Sequence, residues 1–131
     1  MIECSLKPGL IHQINVVPTD EQTAHAVGNH GVHVIATIFM IGFIEECCGW
    51  LAHPHLQEGQ VTVGTHVNLA HLAAIGPGKT VNVSAELTTV EGKKLIFEAV
   101  ACHEETVLMR GTHTRHIVEL SRLMQSHQSG T

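Results

Sequence analysis

The stretch Ala36–Ala52, ATIFMIGFIEECCGWLA, decides the fold. Wound as a helix, it carries apolar residues on almost every face, which marks a helix wrapped by other structure rather than one lying on a surface. Its end is written in the sequence: His53-Pro54-His55 follows, and the residue before a proline avoids helical angles. Widened to Val32–Leu51, the run approaches the length of a membrane span but contains His33, Glu45 and Glu46. Two carboxylates in lipid would cost roughly 2.5–3.5 kcal/mol each. The run is therefore expected to be a buried helix of a soluble protein with no membrane contact.

On the N-terminal side, Ile11–Val17 alternates loosely and stops at Pro18, as a first strand does, while Thr19–Gly31 is polar and reads as a loop. Beyond the helix the pattern changes period. Val61–Ala73 is strand-like and Gly76-Pro77-Gly78 is a turn. Thr80–Val90 sets Val81, Val83, Ala85 and Leu87 on one face and Asn82, Ser84 and Glu86 on the other. Glu91-Gly92-Lys93-Lys94 is a hairpin turn, Leu95–His103 the next strand, Glu104-Glu105 a turn, and Thr106–Leu120 a long last strand. From about Met124 the polar tail is expected to fray. One helix followed by successive hairpins predicts an α+β domain over residues 1–131. An antiparallel five-stranded sheet wrapped around one long central helix is the hotdog arrangement. Such a sheet leaves its edges open, so pairing through an edge strand into a homodimer or a higher oligomer is expected.

Composition narrows the partners. With three Phe, one Trp and no Tyr among 131 residues, the core must be aliphatic. The net charge of −5 gives no general attraction to nucleic acid, so a phosphate-bearing ligand needs local Lys or Arg. Four cysteines without CxxC spacing, and no secretory leader, read as reduced thiols of a cytoplasmic protein. Twelve histidines should make the charge change steeply near pH 6–7, and their number lowers the weight of any single one.

Few residues remain that can carry chemistry. Glu45 and Glu46 point about 100° apart on a helix, so at most one faces solvent-free space. A desolvated carboxylate there suits a base or nucleophile, whereas solvation of both at the helix edge is the plainer reading. Counting by two, His71 shares an apolar face with Val63, Thr65, Val67, Leu69 and Ala73, while Gly64, His66 and Asn68 lie opposite. His71 therefore points to the core or to a cavity beside the helix. Thr37 ordinarily caps or simply joins the helix. Eight helical residues put it about 12 Å from Glu45, too far for a direct bond. A shared site needs Thr37 in the preceding turn or from a partner subunit, with substrate between. The pairs His30/His33, His53/His55 and His113/His116 lack the His/Cys grammar of a zinc site, so no metal is expected. Cys47 and Cys48 read as inert packing rather than as nucleophiles.

Several segments together resemble the fluoroacetyl-CoA thioesterase-like hotdog proteins: Ala36–Glu45, Val63-Gly64-Thr65-His66, Ala70-His71-Leu72-Ala73-Ala74, Gly76-Pro77-Gly78, Val81–Leu87 with Val90-Glu91-Gly92, and Gly111-Thr112-His113-Thr114-Arg115. The likeness runs over about residues 34 to 118, and its specificity lies in the order and spacing of the pieces. It implies hydrolysis of a small acyl-CoA, with Thr37, Glu45 and His71 as the catalytic set. It also implies Gly64 near the thioester carbonyl and Arg115 near the coenzyme A side. No cofactor is implied, since coenzyme A is part of the substrate. In the fluoroacetate-specific members a bulky aromatic lid precedes the helix; here Thr23–His33 contains no Phe, Tyr or Trp. Short or medium acyl groups are therefore implied rather than fluoroacetyl selectivity. The alternative is a non-catalytic module binding acyl-CoA or another small ligand. A hydratase site would need its acid and His close together on one loop-helix element, and no such pair occurs.

Overall fold

The computed structural model describes residues 5–129; Cys4 lies outside them. Strand β1 is Ile11–Val16, helix α1 is Thr37–Ala52, and strands β2 (Gln60–His71), β3 (Val81–Glu91), β4 (Lys94–His103) and β5 (Thr106–Glu119) follow. Helix α2, Leu120–Ser129, ends the described chain. The strands form one sheet in the order β1-β3-β4-β5-β2, with every neighbouring pair antiparallel. Helix α1 packs on its inner face and touches all five strands.

The predicted alternation of β3 holds. Val81, Val83, Ala85 and Leu87 are buried, and β4 adds Leu95, Phe97, Ala99 and Ala101. From α1 come Met40, Phe43, Ile44, Cys47, Cys48, Leu51 and Ala52. Burying a large apolar side chain stabilises by about 1.5–3 kcal/mol, so this layer between helix and sheet is where the fold gets its stability. Breaks in register at Gly64/His66, Leu87/Thr89 and Ala101/Cys102 bend the strands and let the sheet curl around the helix. Between β3 and β4, Gly92 takes a φ of 61°, the left-handed value that a tight hairpin needs.

Two expectations change. Helix α1 is not covered all round: Ile38 is 61% exposed, Trp50 is 52% exposed, and Glu46 is exposed as well. A single five-stranded sheet closes over one side of a helix and leaves the other bare. The chain end expected to fray from Met124 is helical as far as Ser129. Leu120, Leu123 and Met124 recur at helical spacing along its exposed face. No helix among the described residues is long and apolar enough to cross a membrane.

Candidate active site

Thr37 is the first residue of α1, and its cap is Ala36, whose extended backbone supplies no side-chain hydrogen bond. Thr37 is therefore free of capping duty. Its Oγ1 lies 2.8 Å from Nδ1 of His71, the last residue of β2. The hydroxyl and the imidazole form one exposed, hydrogen-bonded pair at the N-terminal end of the helix.

Two turns along α1, Glu45 leans toward β2 and β5. Its side chain is 42% exposed, and Oε2 sits 3.9 Å from Nη1 of Arg115. The solvent-free carboxylate considered from the sequence is thus half-open, on a charged partner. Beneath it lies Gly64. A Cβ at that position would fall 2.7 Å from Glu45 Oε2 and 3.1 Å from His113 Cε1. Only hydrogen fits there, so the carboxylate rests directly on strand backbone.

Arg115 is held more tightly than its neighbour. Nε donates to Thr62 Oγ1 at 2.8 Å, Nη2 to the Thr62 carbonyl at 2.9 Å, and Nη1 to His113 Nε2 at 3.2 Å. The guanidinium is 13% exposed and lies under Gly49. Desolvation pushes its pKa down, opposed mainly by the Glu45 charge. His113 is fully buried, and its Nδ1–H donates to the His66 carbonyl at 2.9 Å. With one nitrogen donating and the other accepting, the ring is locked as the neutral tautomer. Burial lowers its pKa in agreement. The fixed His113 and Thr62 hold Arg115, and Arg115 faces Glu45.

Strand β2 joins the two groups by an irregularity that counting by two misses. Gly64 pairs with Arg115 and His66 with Thr114, leaving Thr65 as the extra residue of a bulge. Directly paired residues share a face. Gly64 with Arg115, Val67 with His113 and His71 with Met109 are therefore all on the helix side. The bulge moves Gly64 from the face opposite His71 to the same one, and turns Thr65 outward to bond His116 Nδ1 at 2.7 Å.

Within one chain, then, Thr37 meets His71, and Glu45 meets Gly64 and Arg115. Eight helical residues, about 12 Å, separate the two groups. Sequence reasoning did not pick out Thr62, and it weighed His113 only as a metal ligand. The spacing of His113 two residues before Arg115 was the available signal, since it places both on one strand face. Cys47 and Cys48 take no part: burial pushes the Cys47 thiol up to about 11 and the Cys48 thiol to about 12, so both stay protonated at neutral pH. Among the described residues, no three His, Cys, Asp or Glu side chains are grouped to hold a metal ion.

By architecture the chain is a hotdog-fold protein. Solved structures share that architecture: a fluoroacetyl-CoA thioesterase superposes with a TM-score of 0.91 at 28% identity, covering 97% of this chain and 98% of that one. A Thermus thermophilus protein of the thioesterase superfamily gives 0.85 at 26% identity, covering 93% and 90%. In sequence, the fluoroacetyl-CoA thioesterase of Streptantibioticus cattleyicolor is 38% identical over 89 residues. That match spans 68% of this chain and 64% of that relative, just under two thirds of its length. Residues 18–121 match the fluoroacetyl-CoA-specific thioesterase family, and the chain belongs to it.

Proposed function

We propose that the protein hydrolyses a small acyl-CoA thioester with Thr37, Glu45 and His71, as a homodimer and without a cofactor. The observation that carries this is the 2.8 Å bond between Thr37 and His71. It joins a hydroxyl to an imidazole that can give or take a proton, at the end of a helix whose cap contributes no side chain. Uncapped N–H groups and the positive end of the helix dipole favour negative charge there, such as a departing thiolate or an oxyanion. Glu45 delivers electrons to the carbonyl carbon, directly or through a water. Arg115 holds the carboxylate in place, and the open backbone at Gly64 admits the carbonyl.

Exposure on the edge strand supports the dimer. Residues 64–68 of β2 are exposed, with Val67 at 42%. An exposed edge is a template for pairing. Antiparallel two-fold pairing about this stretch sets the end of one β2 that bears His71 against the start of the other. Each Thr37–His71 pair then comes toward the partner's Glu45 and Gly64, bridging what 12 Å of helix separates. The bare helix flank with Ile38 is covered by the same contact.

The segment that precedes α1 carries imidazoles in place of aromatic hydrocarbon. The His25 and His33 rings lie 4.2 Å apart, and His25 Nδ1 accepts from the Gly31 N–H at 3.0 Å. A short acyl chain fits this reading, and a solved fluoroacetyl-CoA thioesterase structure contains acetyl-CoA.

Thiol release from acyl-CoAs, from acetyl to benzoyl and longer chains, tests the reaction. Turnover should be lost in Glu45→Ala and in His71→Ala, and binding without turnover in the unaltered protein would leave a ligand-binding module instead. Mixing the two inactive variants tests the dimer. Random exchange of subunits should restore about a quarter of the activity, because half the dimers are mixed and each keeps one intact site. No recovery after demonstrated exchange would place the whole site within one subunit.

A further inference from the structure

Trp50 is the chain's single tryptophan, and it is 52% exposed on α1, in a protein whose other aromatic side chains are three Phe. Its indole meets the His53 ring edge-on, with centroids 5.3 Å apart at 79°. Both line an open cavity of about 420 Å³ whose walls include Glu45, Leu56 and Arg115. One continuous hollow therefore joins the carboxylate to the indole.

The helix surface explains the shape. Glu45 and Gly49 of α1 and His53 at its C-cap, which keeps helical angles, are four residues apart and form one ridge. Gly49 cuts a notch in that ridge, and its floor is the Arg115 guanidinium, 3.7 Å from where a Cβ of residue 49 would stand. A slender chain leaving the Glu45 carboxylate can cross the ridge through this notch and reach Trp50. The axial distance from Glu45 to Trp50, five residues, is about 7.5 Å.

We infer that Trp50 is the wall against which the pantetheine arm of the substrate packs, with the notch at Gly49 as its path away from the thioester. This rests on the acyl-CoA reading above. The arm alternates methylenes with amides. Such a chain suits a groove with an indole and Leu56 on its sides and an imidazole and a guanidinium for its polar groups. Trp50 is a substrate-positioning residue: it touches the arm, not the reacting bond.

Because Trp50 is the only tryptophan, its emission reports this contact without any substitution. Titration with a non-hydrolysable thioether analogue of an acyl-CoA should give a saturable change in emission. Trp50→Ala should raise KM about tenfold, the scale of losing one anchoring aromatic contact, with a smaller fall in kcat. The penalty on KM should be similar for acyl-CoA and acyl-pantetheine, and several-fold smaller for the N-acetylcysteamine thioester, which lacks most of the arm. Trp50→Leu, with a melting curve for both variants, guards against a folding defect. Hydrolysis by the unaltered protein, with emission unmoved by the analogue and KM unchanged in Trp50→Ala, would overturn the inference and leave the thioesterase reading standing. An emission response from a protein that turns over no ester would do the reverse. Equal KM penalties on all three esters would overturn it too.

Discussion

Substituting Gly64 by Ala places one methyl group where the structure has room for none. The new Cβ would lie 2.7 Å from Glu45 Oε2, 3.1 Å from His113 Cε1 and 3.5 Å from Arg115 Nη1. Of these neighbours, His113 is fully buried with both nitrogens bonded, and Arg115 is clamped to Thr62. The half-exposed carboxylate is the part that gives. Restoring a separation of about 3.5 Å requires Glu45 Oε2 to move by roughly 0.8 Å. A reacting group displaced by about 1 Å can lose on the order of a hundredfold in rate, or about 2.7 kcal/mol of barrier. Stability should suffer far less. Ala restricts the unfolded chain and recovers about 0.4–1 kcal/mol, against about 1–3 kcal/mol for overpacking. The net loss is about 1 kcal/mol, or about 4 °C in Tm. The assay is thiol release at saturating acyl-CoA, with a thermal melt of the same preparation. Shortening the carboxylate should relieve the clash, so Gly64→Ala with Glu45→Asp should lose less than the product of the two single losses. Turnover of Gly64→Ala within threefold of the unaltered protein would refute the claim that the seat of Glu45 on this backbone sets the rate.

Other outcomes follow from the same geometry. His113 has its pKa lowered by burial, so below about pH 6.5 the unfolded chain binds a proton there that the folded chain does not. Stability should fall as pH drops through that window, and the Tm difference between pH 7.5 and 5.5 should shrink in His113→Gln. Arg115→Lys keeps the charge but cannot reach Thr62 Oγ1, the Thr62 carbonyl and His113 Nε2 together. Leaving buried partners unpaired should cost about 1–3 kcal/mol, read by denaturant unfolding, with loss of turnover as Glu45 loses its counter-charge. Gly111 has a φ of 152°, and a Cβ there would run into the Asn68 carbonyl oxygen, so Gly111→Ala should cost about 3 kcal/mol and lower Tm by about 10 °C.

Much of this was legible before any coordinates. The run Ala36–Ala52 is too apolar for a surface helix, and α1 ends at Ala52 as expected, although His53 before the proline keeps helical angles and a 3-10 turn, His53–His55, follows. The alternation of β3 requires one buried face, and the structure buries Val81, Val83, Ala85 and Leu87. The direction of His71 also followed from period two, since it faces the helix layer. Helical rise alone forbade a bond between Thr37 and Glu45, and within one chain the structure gives each a different partner. The helical tail after Leu120 and the exposed flank of α1 escape the sequence for different reasons. The first was a short amphipathic pattern in a polar segment. The second followed from taking apolar content as a measure of coverage, when coverage depends on how far a sheet can curl.

What the sequence determined by itself is what depends on neighbours along the chain: where elements begin and end, which residues alternate toward the core, and how far apart two helical residues stand. Tertiary structure decided what depends on register between segments distant in sequence. A single extra residue at Thr65 puts Gly64 on the face of His71, because a strand's side chains change sides with every position and one bulge reverses the count. Thr62 reaches Arg115 because β2 and β5 meet in antiparallel register, and Thr37 finds His71 only because the helix starts where β2 ends. Such meetings are set by packing the whole sheet against one helix, and no local pattern encodes them.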